Sequence, residues 1–137
     1  MRIHPAARAP DNRLQAKRAA LRAGKAAEVE VASDLEARGL TILGTNVRLG
    51  PLEIDIVALE GDTVVVVEVR TRGTTAWQTG LESVARAKAR RIRKAGERLW
   101  RQRFQRDPRV SRMRFDVAVV TYDPPGTPRI EYARAVF

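Results

Sequence analysis

Apolar residues recur at three- and four-residue steps from Arg13 to Arg38, placing Ala20, Leu21, Gly24, Ala27, Val31, Ala32 and Leu35 on one face. That period predicts an amphipathic helix, with Asp11 or Asn12 as its N-cap and Gly39 as its stop. Leu40 to Arg48 reads as a strand with Ile42 inward, and Gly50-Pro51 turns the chain. Two further strands follow, Leu52 to Leu59 and the almost purely β-branched Thr63 to Val69, joined by Glu60-Gly61-Asp62. Glycine in that joint accepts positive φ without steric cost. Gly73 to Gly80 has no period and reads as a loop, in which Trp77 either plugs the core edge or stacks on a base. The helical period returns over Leu81 to Phe104, with a stripe of Leu81, Val84, Ala85, Ala89, Ile92, Gly96 and Leu99, and Asp107-Pro108 ends it. Met113 to Thr121 alternates as a strand, Asp123-Pro124-Pro125-Gly126 is a turn, and Arg129 to Phe137 closes as an edge strand.

The order is α-β-β-β-α-β-β. A helix between the third and fourth strands is a crossover, so the pattern predicts an α/β fold with a mixed central sheet flanked by helices. Met1 to Asn12, with Pro5, Pro10 and no period, reads as a disordered tail, and residues 13–137 as one domain.

The hairpin carries the candidate chemistry. With a two-residue loop at Gly61-Asp62, Glu60 faces Thr63, Asp55 falls opposite Glu68, and Glu53 opposite Arg70. Directly opposed residues have Cβ atoms only ~5 Å apart, and like charges there are destabilising. Carboxylates among valines also lose hydration. A hard divalent cation, which takes one or two carboxylates plus water, removes both penalties. A loop at Glu60-Gly61 keeps both carboxylates on one face and shifts the pairing; a three-residue loop separates them. Glu28 is a second anomaly, a carboxylate on the apolar face of the first helix that either snorkels to the edge or has a partner.

Glu53-x-Asp55 followed by Glu68-Val69-Arg70 resembles the PD-(D/E)xK nuclease motif, and in detail the YraN-like family, relatives of archaeal Holliday-junction resolvases. Asn46-x-Arg48, Lys88-x-x-Arg91-Ile92, Arg114-Phe115-Asp116-Val117 and Ala135-Val136-Phe137 extend the likeness from about Gly24 to Phe137. Ala27-Glu28 stands where the family reads Gly-Glu, at the family's spacing from the helix-ending Gly39, and Arg70 replaces the family's motif lysine. The resemblance implies a restriction-endonuclease-like core and a metal-dependent endonuclease acting on DNA, branched or flapped. On it, Glu53, Asp55, Glu68 and Arg70 are the catalytic set. Glu28, Asp55 and Glu68 hold Mg²⁺ or Mn²⁺ with the Val69 carbonyl, and a homodimer is implied because junction resolvases cut as symmetric pairs. Asp116 is first of all structural.

Charge and composition narrow the classes. The chain has 137 residues, no cysteine, one histidine (His4) and a net charge of +10. Disulfides and thiolate metal sites are excluded, and histidine-based catalysis has little to work with. No apolar run approaches the ~20 residues of a membrane span, and Met1 to Pro10 lacks the apolar core of a signal peptide, so the expected setting is cytoplasmic and away from membranes. The positive excess points to a polyanionic partner, with DNA first. It is densest on the second helix, where Arg86, Lys88, Arg90, Arg91, Arg93, Lys94, Arg98, Arg101 and Arg103 face only Glu82 and Glu97. Solvated helices interleave both signs, so this one reads as a phosphate-facing ridge, with Arg48 and Arg72 as further contacts and Lys88 nearest the carboxylates. Three readings stand: an endonuclease; a nucleic-acid-binding protein with a degenerate site, which Arg70 favours; and a lattice of ion pairs, Glu53 with Arg70 and Glu68 with Arg72 or Arg48, that binds no metal.

Overall fold

A computed structural model describes residues 12–72, 86–122 and 124–136. The elements are α1 (Asn12–Ala37), β1 (Thr41–Leu49), β2 (Leu52–Glu60), β3 (Thr63–Arg72), α2 (Arg86–Leu99), β4 (Arg112–Tyr122) and β5 (Pro128–Ala133). Residues 1–11 of the expected tail, the Trp77 loop and positions 81–85 of the second helix lie outside the described residues, and Asn12, expected in the tail, begins α1.

The strands form one mixed sheet in the order β1-β2-β3-β4-β5. All neighbours are antiparallel except β3 and β4, which run parallel on either side of the α2 crossover. The α/β class, the element order and the mixed sheet are those the pattern predicted. β3 lies at the centre, covered on both sides, which is why its sequence is a continuous valine run rather than an alternation. Val65 and Val67 pack towards Ala27, Val31 and Leu35 of α1. Val64 and Val66 pack towards Ile92, Ala95 and Leu99 of α2.

The second helix ends differently from the expected continuous α-helix. Trp100–Phe104 is a π turn, closed by Gln105 N–H donating to the Trp100 carbonyl at 2.8 Å. Five residues beyond Leu99, α-geometry would swing Phe104 well off the packing stripe. A turn closed by i→i+5 bonds brings it back, and Phe104 packs on the α2-side core.

One polar knot ties the far side of the sheet. Asp116 is 1% exposed. It accepts hydrogen bonds from Arg114 Nε at 2.9 Å, Tyr132 Oη at 2.5 Å and Ala135 N–H at 2.9 Å. Arg114 continues to Glu60 at 3.1 Å. These bonds fasten β5 and the chain beyond it to β4. Asp116→Ala would leave the half-buried Arg114 guanidinium with Glu60 alone and take the acceptor from the Tyr132 phenol and the Ala135 N–H, and it should lower unfolding free energy by about 2–4 kcal/mol in urea melts. A loss below about 1 kcal/mol would show that the knot is not structural.

Candidate functional site

The hairpin β2–β3 adopts the Gly61-Asp62 loop. Its pairing runs from Glu60–Thr63 to Ile56–Val67 and stops there. The register is the expected one, but the expected face-to-face pairing does not continue to Asp55–Glu68 and Glu53–Arg70. Instead the strands part, and the Asp55 carboxylate accepts the Val69 N–H at 2.9 Å. A side chain has replaced a rung of the ladder.

The reason lies in β1 and β2 together. Side chains two apart on a strand share a face. Yet Ile56 and Ala58 pack on the α1 side, whereas Ile54 packs on the α2 side. In β1, Val47 and Leu49 pack on the α2 side while Thr45 lines a cavity with α1 residues. The pairs Thr45–Ile56 and Val47–Ile54 bracket Asn46 and Asp55, so both strands turn over at these two residues. Asn46 provides the backbone for it, with a left-handed φ of 49°. Beyond this point the β1–β2 tip folds onto α2, where Arg98 Nη1 donates to the Leu49 carbonyl at 3.2 Å.

Glu53, Asp55, Glu68, Lys88, Arg91 and Ile92 line a cleft of about 230 Å³ at the parted end of the hairpin. Glu68 is the most tied of its acids, with Lys88 Nζ at 3.3 Å and Arg70 Nε at 3.6 Å from the same oxygen. Burial, followed by repulsion from Glu68, pushes the Asp55 carboxyl up to about 7. The Val69 N–H opposes this, while the hydrogen bond with Glu68 and the charge of Glu28 add to it. A carboxylic acid that holds its proton near neutrality beside another carboxylate is the signature of two acids sharing one volume.

Glu28 lines an adjacent cavity of about 450 Å³ with Lys25, Thr45 and Asn46, on the α1 side. Its pKa is raised, first by burial and then by Glu53 and Glu68, while hydrogen bonding from Asn46 and the charge of Lys25 lower it. Glu28 is therefore within electrostatic reach of the Asp55–Glu68 pair, across the point where β1 turns over. Among the described residues no three carboxylates or histidines close around a common point. The donor chemistry still fits Mg²⁺ or Mn²⁺, since such ions take one or two carboxylates and complete their shell with water. Asp55 and Glu68 could supply those two, with Glu28 as a third acid within electrostatic range.

The other candidate residues fall out as follows. Arg70 is not among the residues lining the cleft but shares the face of Glu68, with Nε 3.6 Å from its carboxylate; Nε and Nη2 are enclosed and make no hydrogen bond. Arg48 stands opposite Glu53 on β1 and is exposed. Arg90, Arg91 and Lys94 are exposed on α2, with Arg91 at the cleft. The side chains of Arg72 and Arg86 lie outside the described residues. Of the ion-pair lattice, neither Glu53–Arg70 nor Glu68–Arg48 is present among the described ion pairs; the cations on Glu68 are Lys88 and Arg70. Sequence reasoning gave Asn46 and Lys25 no role of their own. Asparagine is depleted in strands and tolerant of left-handed backbone, so an Asn inside a strand was the available signal.

Fold and site define a small α/β domain with a carboxylate pair at the parted end of a hairpin, next to a basic helix. Residues 27–120 match the family described as "Uncharacterised protein family UPF0102", and the chain belongs to that family, the YraN-like one the motif order resembles. It is 46% identical over 114 residues to a UPF0102 protein of Sorangium cellulosum, covering 83% of this chain and 79% of that protein. It is 38% identical over 113 residues to a UPF0102 protein of an Arthrobacter strain, covering 82% and 93%. UPF0102 proteins of Pseudomonas aeruginosa are also 38% identical, over 117 residues, covering 83% and 90%. No helix among the described residues is long and apolar enough to cross a membrane.

The raised Asp55 pKa has a signed consequence for stability. An acid whose folded pKa is about 7 against an ordinary 3.8 binds its proton more tightly in the folded state. Its charge therefore destabilises the fold progressively as pH rises from 3.8 to about 7, and fully above that. Asp55→Asn keeps an acceptor for the Val69 N–H and removes the charge. In chelator, the variant should match wild type near pH 4 and exceed it by roughly 1–3 kcal/mol at pH 8. Parallel stability curves for the two proteins across that range would mean that Asp55 is not desolvated beside Glu68.

Proposed function

We propose that this protein is a metal-dependent endonuclease acting on DNA, with branched or flapped forms as the substrates the family resemblance suggests. The observation that carries the reading is the Asp55–Glu68 pair, two carboxylates set together in a basic-rimmed cleft whose lining among the described residues has no histidine. Asp55 and Glu68 would hold Mg²⁺ or Mn²⁺, with Glu28 and the Val69 carbonyl as further oxygen donors. When bound there, the ion polarises a phosphate and lowers the pKa of an attacking water.

The chain's own residues supply the rest. Arg91 and Lys88 at the cleft, with Arg90 and Lys94 along α2, offer positive charge to a phosphate backbone without reading its sequence. Glu53 at the cleft mouth would orient water or serve as another oxygen donor. Arg70 cannot act as a base, because a guanidinium does not deprotonate in proteins. The amine that a motif lysine would provide is offered instead from α2 by Lys88, which already sits against Glu68.

A specific observation sustains the second reading, a nucleic-acid-binding protein with a degenerate site. Arg70 is mostly enclosed and its guanidinium is directed at Glu68, so less of its charge is offered to a scissile phosphate. Cleavage of four-way-junction, flapped, single-stranded and duplex DNA in Mn²⁺ or Mg²⁺ separates the two. Wild type should cut at least one substrate. Asp55→Asn should lose about two orders of magnitude in rate or more, and Lys88→Ala should lose tenfold or more while Arg70→Lys keeps activity. Binding should weaken steeply with salt, and the double variant Arg90→Ala, Lys94→Ala should reduce the slope of log affinity against log salt by up to ~1.8. Salt-sensitive binding with no cleavage by wild type would leave the binding-protein reading. Neither binding nor cleavage would sink both.

A further inference from the structure

Asn46 occupies a left-handed conformation, with φ of 49° inside a strand. Non-glycine residues rarely hold that conformation, and those that do concentrate at functional sites because the surroundings must over-determine them. Glycine would turn the strand over at Asn46 without cost to backbone sterics. The side chain at this position must therefore serve something that a bare backbone does not. It lines the α1-side cavity with Glu28, Lys25 and Thr45, close enough for its side chain to favour the ionised Glu28 carboxylate. On the other side, the flanking pairs Thr45–Ile56 and Val47–Ile54 place Asp55 directly across from it. Asn46 thus stands between the helix acid and the strand acids.

Left to its other neighbours, Glu28 has reason to turn away. Burial and the acids Glu53 and Glu68 oppose a charge at this spot, while Lys25 favours it. A solvated rotamer would take Glu28 away from those acids, and α1 is open to solvent on that side, where Lys25 and Val29 are exposed.

We propose that Asn46 is a positioning residue for the acidic site. Its left-handed backbone turns β1 over beside Asp55, and its side-chain amide fixes the Glu28 carboxylate towards the Asp55–Glu68 pair, so that three acids rather than two serve a divalent cation. The inference rests on the nuclease reading for what Glu28 is needed for, and it assigns Asn46 no contact with substrate.

The two functions of Asn46 can be pulled apart by substitution. Asn46→Gly keeps the backbone and deletes the amide; Asn46→Ala deletes the amide and strains the backbone. Thermal melts and Mn²⁺ titration calorimetry on the chelated and dialysed protein read both. Asn46→Gly should hold its melting temperature within about 2 °C of wild type, while Asn46→Ala falls by several degrees. Both should weaken Mn²⁺ binding by about tenfold or more, the usual scale for removing a group that orients a ligand. Because Asn46 acts through Glu28, Glu28→Gln should weaken binding by a similar factor, and adding Asn46→Gly to it should cost nothing further. Wild-type Mn²⁺ affinity in Asn46→Gly would overturn the inference and leave the nuclease reading standing, as would full additivity with Glu28→Gln. Absence of Mn²⁺ binding by the wild-type protein would overturn both.

Discussion

The hydrogen bond from Val69 N–H to the Asp55 carboxylate is the contact on which the arrangement of the site depends. A β-ladder has no room for a cleft, since every backbone group on both strands is occupied. Here β2 and β3 part after Ile56–Val67, and the orphaned amide needs an acceptor. Asp55 supplies it from its side chain, which commits that carboxylate to the gap between the strands. Glu68, the neighbour of Val69 on the chain, is brought to the same gap by the same bond. The acid pair is thus a product of how the sheet ends rather than an addition to it.

The rest of the molecule makes that ending rigid. Val64 to Val67 are fully enclosed between the two helical layers, so β3 cannot shift to relieve the repulsion at its end. The β1–β2 tip, having turned over at Asn46 and Asp55, is held down on α2 by Leu49, Ile54 and the Arg98 bond to the Leu49 carbonyl. Gly50, at the apex of that tip, has φ of 63° and lies so close to the Arg98 guanidinium that a Cβ there would meet it at 3.0 Å. The same helix presents Lys88 and Arg91 to the cleft. One helix therefore packs the core, pins the tip and delivers the cations, and its apolar and basic stripes have to keep a fixed phase.

What was legible in the sequence is what short-range rules govern. Gly61 set the loop and with it the hairpin register; the β-branched run of β3 announced a strand buried on both faces; and Glu28 stood out as a charge on an apolar stripe. What was not legible depends on contacts between distant positions. Nothing local says that β2 and β3 part after Val67, because that follows from the turning-over of β1, the strand on the other side. Lys88 stood apart from the arginines around it by its place beside the apolar stripe, but that its partner is Glu68 depends on where the sheet ends. The π turn at Trp100 answers to the packing of Phe104 on a core built from other elements. Asn46 is the intermediate case: an asparagine inside a strand is a local oddity, but only the acids on either side give it a meaning.

The charge distribution closes the account. A chain of net charge +10 places several of its acids in one cleft and rims that cleft with cations. On the proposed reading the two signs are not in conflict. The ridge on α2 attracts a phosphate backbone, but the acid pair repels it, so close approach to the cleft is favoured only when a divalent cation neutralises Asp55 and Glu68. The cation in turn finds fewer oxygen ligands in the protein alone than with a phosphate in place. Each partner raises the affinity of the other by the same factor, as reciprocity of coupled binding requires. An acid pair in which Asp55 has a raised pKa is then an advantage: on this reading the ion is held more firmly where nucleic acid is already on the ridge than elsewhere.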